Sequence, residues 1–225
     1  MEIKKIAVLG AGAMGHGIAQ VAAMAGFQVN MRDINDEILA GGMERIKWSL
    51  SKFAQKGRIT EDEAKKAAGR IKPVVPLKEA VKDIDYVIEA APEILKLKRE
   101  IYKEIDGYAP KHAILATNTS ALPISEIAEV TKRPEKVVGM HFFNPAQLMR
   151  LVEVVNGEKT SEETTKVTVE LSKKFGKEAV VCKKDVPGFI ANRIALAGTN
   201  LVCWMVHKGE YTVEEVDAAA IHKAG

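Results

Sequence analysis

The chain has 225 residues, 47% hydrophobic and 28% charged, a composition that suits a soluble globular protein of one large domain or of one domain with a small companion. Its 33 Lys and Arg against 30 Asp and Glu give a net charge of +3, too mild a balance to argue for nucleic acid, and no arginine-rich run is present. No apolar stretch is long enough to span a bilayer, and MEIKKIAVLG reads straight into a strand rather than into a signal peptide. The two cysteines, Cys182 and Cys203, are isolated, without metal-ligand or disulfide spacing, so a reducing, cytoplasmic setting and no metal are expected.

In chain order, KKIAVLG predicts a short buried strand ending in glycine. MGHGIAQVAAMAG then carries small and apolar residues at helical spacing up to Gly26, and FQVNMRD predicts a second strand. Strand, helix and strand within about thirty residues make a βαβ unit, which requires a parallel pair. Asn35 starts a long helix whose apolar stripe is Leu39, Met43, Ile46, Leu50 and Phe53, and TEDE from Thr60 is a capping box that opens another. This helical hairpin, about 35–70, is larger than a crossover needs. VVPL predicts a short strand and YVIEAA a buried one, after which Pro92 is expected to begin a helix at its favoured first position. AILATNTS is the next strand, SEIAEVT a helix, and VVGMHFF and LVEVV two further strands. A helix opened by TSEE and the strand EAVVCK complete the alternation. After KKDVPG the texture changes: Pro187 is expected to begin a long apolar helix through His207, TVEE from Thr212 caps a final one, and no strand pattern returns. The expected fold is therefore α/β, a Rossmann-type doubly wound, mostly parallel sheet over 1–185 with the helical hairpin inserted, followed by a short all-α part over 186–225.

The turn GAGAMG, Gly10 to Gly15, follows the first strand and opens the first helix. A bare GxGxxG is weak, but this one has the context that gives the glycines work: Gly10 for the tight turn, Gly12 for close approach of a pyrophosphate, Gly15 for packing of helix on strand. With Ala13 and Met14 they form a candidate cradle in which the helix N-terminus presents unpaired N–H groups to phosphate. Asp33 ends the second strand, eighteen residues after Gly15. A carboxylate there accepts the adenosine ribose hydroxyls and repels a 2′-phosphate, which favours NAD over NADP, although Arg32 beside it softens the discrimination.

Alternation in VVGMHFF puts Val137, Gly139, His141 and Phe143 on one face, and in LVEVV it puts Leu151, Glu153 and Val155 together. A buried unpaired carboxylate costs several kcal/mol, so Glu153 needs a partner, and His141 is the obvious one. A carboxylate on one imidazole nitrogen fixes the tautomer and leaves the other nitrogen free to take a proton. A lone strand histidine is more often structural. The neighbouring cofactor turn and the facing glutamate favour catalysis. TNTS, Thr117 to Ser120, ends a strand at its carboxyl end, where open parallel sheets bind ligands, so Asn118 and Ser120 are candidates to touch nicotinamide or substrate; a plain helix cap is the competing reading.

Taken together, GAGAMGHGIAQVAA, NTSALPISEIA, GMHFFNPAQLMRLVEVV and VPGFIANRI resemble the L-3-hydroxyacyl-CoA dehydrogenases, and most of all their short-chain 3-hydroxybutyryl-CoA branch, over essentially residues 3–225. The resemblance implies reversible hydride transfer between NAD and the 3-hydroxyl carbon of an acyl-CoA. It implies His141 as general base, Glu153 as its orienting partner, Ser120 as donor to the substrate oxygen and Asn192 as a substrate contact. It also implies Asn144 as a cofactor contact, Glu93 and Lys98 near the cofactor ribose and nicotinamide, and Ser49 and Lys56 as coenzyme A contacts. Arg45 and Lys52 fall at helical spacing with those two, opposite the apolar stripe, and are weaker candidates for the same role.

Departures from the family pattern are Ala121 where a second serine is common, Gln147 where relatives carry a small or apolar residue, and Pro92 where valine is frequent. Relatives continue past KAG into a PMG motif and further helices, so an incomplete second domain is expected, and with it association of chains, as a homodimer or another homo-oligomer, through the apolar helix after Pro187. The alternatives are an NAD-binding fragment with little activity and a related hydroxyacid dehydrogenase that does not use coenzyme A. The β-hydroxyacid dehydrogenase class would need a serine-glycine-glycine substrate loop that the sequence lacks.

Overall fold

The computed structural model describes residues 2–223. The first unit is as the periodicity predicts: β1 (Lys5–Leu9), α1 (Gly15–Met24) and β2 (Gln28–Arg32) form a parallel βαβ. Next come α2 (Asp36–Gln55), α3 (Glu61–Gly69) and β3 (Ile71–Val74). Asn35 caps α2 by accepting the Ile38 amide, and Thr60 and Glu63 form the reciprocal capping box of α3. Then follow α4 (Leu77–Val81), β4 (Tyr86–Glu89), α5 (Leu95–Tyr108), β5 (Ile114–Thr117), α6 (Ile124–Ala128) and β6 (Val137–Phe142). The sheet is completed by β7 (Leu151–Val155), α7 (Glu162–Lys174) and β8 (Glu178–Cys182), after which α8 (Ala191–His207) and α9 (Val213–Lys223) follow among the described residues.

The strands make one eight-stranded sheet in the order β3-β2-β1-β4-β5-β6-β7-β8. The first six are parallel in the doubly wound 3-2-1-4-5-6 order, while β7 runs antiparallel to β6, and β8 parallel to β7. Helices cover both faces, which is why β4, β5 and β6 are buried throughout their length and read as continuous apolar runs. Alternation sorts the core into two layers: Ile6, Val8, Ile88 and Met140 pack under α1, α2 and α7, and Ala7, Leu9, Val87 and Leu115 pack with residues of α4, α5 and α6.

Three sequence expectations about local structure are corrected. The strand expected at VVPL lies earlier, at Ile71–Val74, and pairs only with β2; Pro73 is tolerated because β3 is the sheet edge. Pro92 does not start a helix. The Ile94 amide closes a tight turn on the Pro92 carbonyl, Glu93 is drawn to the turn after β5, and α5 begins at Leu95. Pro187 does not start α8 either. Gly188 (φ 79°) and Phe189 (φ 47°) are in the left-handed region and turn the chain, so the helix begins at Ala191.

No residue of α8 is buried, and Ile194, Leu201 and Trp204 are among the exposed apolar side chains. Among the described residues no helix is long and apolar enough to cross a membrane. The last two residues of the expected 186–225 part lie outside the described ones.

Candidate active site

Leu9, Glu89, Thr117 and Gly139 are neighbours across β1, β4, β5 and β6. The glycine turn, Asn118 to Ser120 and His141 therefore emerge at one carboxyl edge of the sheet, where open α/β sheets take their ligands.

The glycine turn is shaped for close approach. Gly10 sits at φ +110°, and a Cβ there would lie 2.5 Å from the Ala90 carbonyl oxygen. A Cβ on Gly15 would collide with the Gly10 carbonyl, so this glycine lets α1 close on β1, while a Cβ on Gly12 would meet nothing within 4 Å. Met14 at the N-cap offers no side-chain hydrogen bond to the helix start, which leaves the amides of the Ala13–Met14 segment for an anion. Asp33 steadies this turn: Oδ2 accepts the Ala11 amide at 2.7 Å and Oδ1 the Ile34 amide at 2.7 Å. Arg32 Nε donates to the Val75 carbonyl at 3.1 Å, so this part of its guanidinium is engaged by the backbone after β3. Open space over Gly12, free amides and a carboxylate at the end of β2 fit a dinucleotide with an unphosphorylated ribose.

His141 and Glu153 stand directly opposite each other in the β6–β7 ladder, and His141 Nδ1 lies 2.8 Å from Glu153 Oε2. Both are buried, and the imidazole is flanked by the rings of Phe143 at 4.5 Å and Phe189 at 5.6 Å between centroids. With Nδ1 committed to the carboxylate, Nε2 is the nitrogen left for a substrate. The other oxygen of Glu153 accepts the amides of Ile190 (3.0 Å) and Ala191 (2.8 Å), and the Cys182 Sγ lies 3.9 Å away. Asn192, half-buried, follows immediately in the first turn of α8.

A second cluster holds the turn after β5. Glu93 Oε1 accepts the Thr119 hydroxyl, the Ser120 amide at 2.8 Å and the Ala121 amide at 3.2 Å. Burial pushes its carboxyl up, but the Thr119 hydroxyl, the Ser120 amide, the Lys98 ammonium and the Ala121 amide outweigh burial and hold it below the usual carboxylate range. Lys98 is buried, 2.7 Å from Glu89 Oε1 and 3.5 Å from Glu93 Oε2, so its charge is committed to protein groups. Asn118 Oδ1 accepts the Phe142 amide at 2.8 Å and ties this turn to the end of β6. Ser120 is exposed, as is Asn144, which precedes Pro145 across a cis peptide bond.

Of the four residues assigned to one face of α2, Arg45 parts from the other three. Arg45 reaches back to the glycine turn, donating to the Ala11 carbonyl at 2.8 Å, and Ser49 is buried rather than opposite the apolar stripe. Ser49, Lys52 and Lys56 line a cleft of about 340 Å³ that Gln147 and Leu148 close from the loop after β6. Trp48, Phe53 and Arg58 complete its wall.

Sequence reasoning missed Glu89, Thr119, Trp48 and Arg58. A carboxylate inside the buried run YVIEAA was the available signal for Glu89, and spacing of four residues from Lys52 for Trp48. The link from Glu153 to the amides of α8 left no sequence signal, because a backbone donor has no residue signature.

The pattern of the 3-hydroxyacyl-CoA dehydrogenase NAD binding domain matches residues 5–186, and that of the 3-hydroxyacyl-CoA dehydrogenase C-terminal domain matches residues 188–225. The chain belongs to the 3-hydroxyacyl-CoA dehydrogenase family. It is 48% identical over 217 residues to a Bacillus subtilis protein named as a probable 3-hydroxybutyryl-CoA dehydrogenase, covering 96% of this chain and 75% of that one. It is 39% identical over 228 residues to the mitochondrial hydroxyacyl-coenzyme A dehydrogenase of Sus scrofa, covering 99% and 72%. Among solved structures, the (S)-3-hydroxybutyryl-CoA dehydrogenase PaaH1 of Ralstonia eutropha superposes with a TM-score of 0.94 at 37% identity, covering 99% of this chain and 78% of that one. The dehydrogenase family and its NAD-binding domain are thus established for this chain.

Proposed function

We propose that this family member oxidises a short-chain (S)-3-hydroxyacyl-CoA to the 3-oxoacyl-CoA, reversibly, with His141 as general base. The observation that carries the proposal is the buried His141–Glu153 pair at the sheet edge that also bears the glycine turn. NAD, when bound, supplies the hydride acceptor. His141 Nε2 takes the proton of the substrate 3-hydroxyl, and Glu153 stabilises the imidazolium that results. In the reverse direction the imidazolium returns that proton to the developing alkoxide. The Ser120 hydroxyl donates to the same oxygen, and Asn192 holds the substrate from α8. Asn118 and Asn144 steady the nicotinamide end. Glu93 fixes the Ser120 turn, and Lys98 acts beneath it through Glu89 and Glu93.

In this reading the coenzyme A moiety lies in the α2 cleft, with Ser49 and Lys56 as contacts and Lys52 beside them. Residues 1–185 bind the cofactor, and 186–225 contribute to the substrate site and to a homodimer or other homo-oligomer through α8. A cytoplasmic setting belongs to the same proposal, in keeping with two unpaired cysteines, one buried and one exposed.

The test is NADH oxidation with acetoacetyl-CoA by this chain and by His141→Ala. Turnover by the first that falls about 10²–10⁴-fold in the second is expected. Equal rates in the two would remove His141 from the mechanism.

A further inference from the structure

We propose that Glu153 is also the anchor of α8, so that one carboxylate sets both the catalytic histidine and Asn192. The substrate role of Asn192 in this inference rests on the dehydrogenase reading above; the anchoring itself does not.

The geometry divides the carboxylate between two tasks. Oε2 faces His141 Nδ1 at 2.8 Å, and Oε1 accepts from Ile190 N at 3.0 Å and Ala191 N at 2.8 Å. Helices begin with amides that have no partner inside the helix, and a Ser, Thr, Asp or Asn side chain at the N-cap normally satisfies one of them. The N-cap of α8 is Ile190, which makes no side-chain cap bond. A glutamate 37 residues away in sequence takes that place, with its negative charge at the positive end of the helix.

Within one chain, other restraint on α8 is slight, and contact with a second chain would cover its exposed face without fixing its first turn against β7. None of its residues is buried, so burial of an apolar face does not hold it to the sheet. What fastens its start are the two bonds to Glu153 and the buried Phe189 ring, itself packed on His141. Asn192 follows the bonded Ala191 amide, a rise of about 1.5 Å further along the helix. Fixing a histidine tautomer requires only one carboxylate oxygen. The second oxygen ties the placement of Asn192 to the same group, and a shift of α8 pulls on the His141 contact.

Two substitutions separate the tasks. In Glu153→Gln the amide oxygen still accepts from Ile190 and Ala191, while the NH₂ group faces Nδ1 and forces the imidazole proton onto Nε2. Its kcat should fall by about 10²–10⁴-fold, with KM for acetoacetyl-CoA within about twofold of the parent. Glu153→Ala removes both tasks: kcat falls and KM rises by about fivefold or more. Asn192→Ala should raise KM in the Glu153→Gln background and add nothing in Glu153→Ala. Hydrogen exchange at the Ile190 and Ala191 amides should remain slow in Glu153→Gln and speed up by about tenfold or more in Glu153→Ala. NADH binding reports that each variant is folded. Glu153→Asp, which keeps the charge but shortens the reach, gives the same exchange test should the alanine variant not fold.

Exchange that stays at the parental rate at both amides when Glu153 is truncated overturns the anchor, whatever the kinetics. Slow parental exchange that depends on Glu153, in a chain that does not turn over acetoacetyl-CoA, supports the anchor and defeats the dehydrogenase reading instead.

Discussion

Lys98 Nζ lies 2.7 Å from Glu89 Oε1, and both side chains are buried beneath the turn that carries Ser120. Glu89 also accepts the Ala91 amide at 2.7 Å and, through its other oxygen, the Thr117 hydroxyl at 2.7 Å. Removing only the cation leaves a buried charge without its counter-ion, so Lys98→Met should destabilise the protein by about 3–5 kcal/mol in urea unfolding. Adding Glu89→Gln should recover part of that loss. A loss under about 1 kcal/mol would mean that water reaches the pair.

Asp33 is bound on both oxygens by backbone amides, yet it stands at the end of β2 where the ribose is expected. Asp33→Asn keeps an acceptor for the turn and removes the charge that repels a 2′-phosphate. The preference for NADH over NADPH, as a ratio of kcat/KM, should fall by about tenfold or more, which corresponds to about 1.4 kcal/mol. An unchanged ratio would assign the discrimination to another residue.

Glu93 gives the site an acid limit. Its hydrogen bonds and Lys98 hold its folded pKa below the ordinary value of 4.5 despite burial. The stabilisation is therefore complete above the ordinary value and is lost as pH falls through the lower folded value. Unfolding measured between about pH 3 and 7 should be less steeply acid-dependent in Glu93→Gln than in the parent. Parallel curves would show that Glu93 is not linked to folding.

Burial, and then the Glu153 charge, push the Cys182 thiol up to about 11, and its side chain is closed to solvent. Cys203 is exposed on α8. Alkylation of the native protein at pH 8 should label Cys203 and spare Cys182, with both labelled after unfolding. Peptide mass analysis distinguishes the two, and prompt labelling of Cys182 would mean that the α8 end opens readily.

Ile194 and Trp204 are 70% and 51% exposed on α8. Apolar surface of this kind tends to be covered by another chain. Sedimentation should show an oligomer for the parent and a shift toward monomer for Ile194→Glu with Trp204→Glu. A parent that is monomeric at tens of micromolar would leave this face without the partner proposed for it.

The sequence by itself determined the alternation of strands and helices, the glycine turn with its carboxylate, and the family. Those features rest on local physics: a period of two or 3.6, a capping box at Thr60, glycines where backbone must pass close. It misplaced the helix starts at Pro92 and Pro187, because proline permits a first turn without requiring one. Glu93, beside the first of these starts, binds the turn after β5, and Glu153 binds the amides at the second. Alternation already made His141 the expected partner of Glu153, and the tertiary structure supplied the antiparallel register that sets them directly opposite, since a slip of one residue would turn every side chain of β7 to the other face. Tertiary structure alone joined Lys98 to Glu89 and gave the second oxygen of Glu153 to α8. A buried charge must find a counter-charge or donor somewhere, but the chain's path through space, not its local pattern, decides which one.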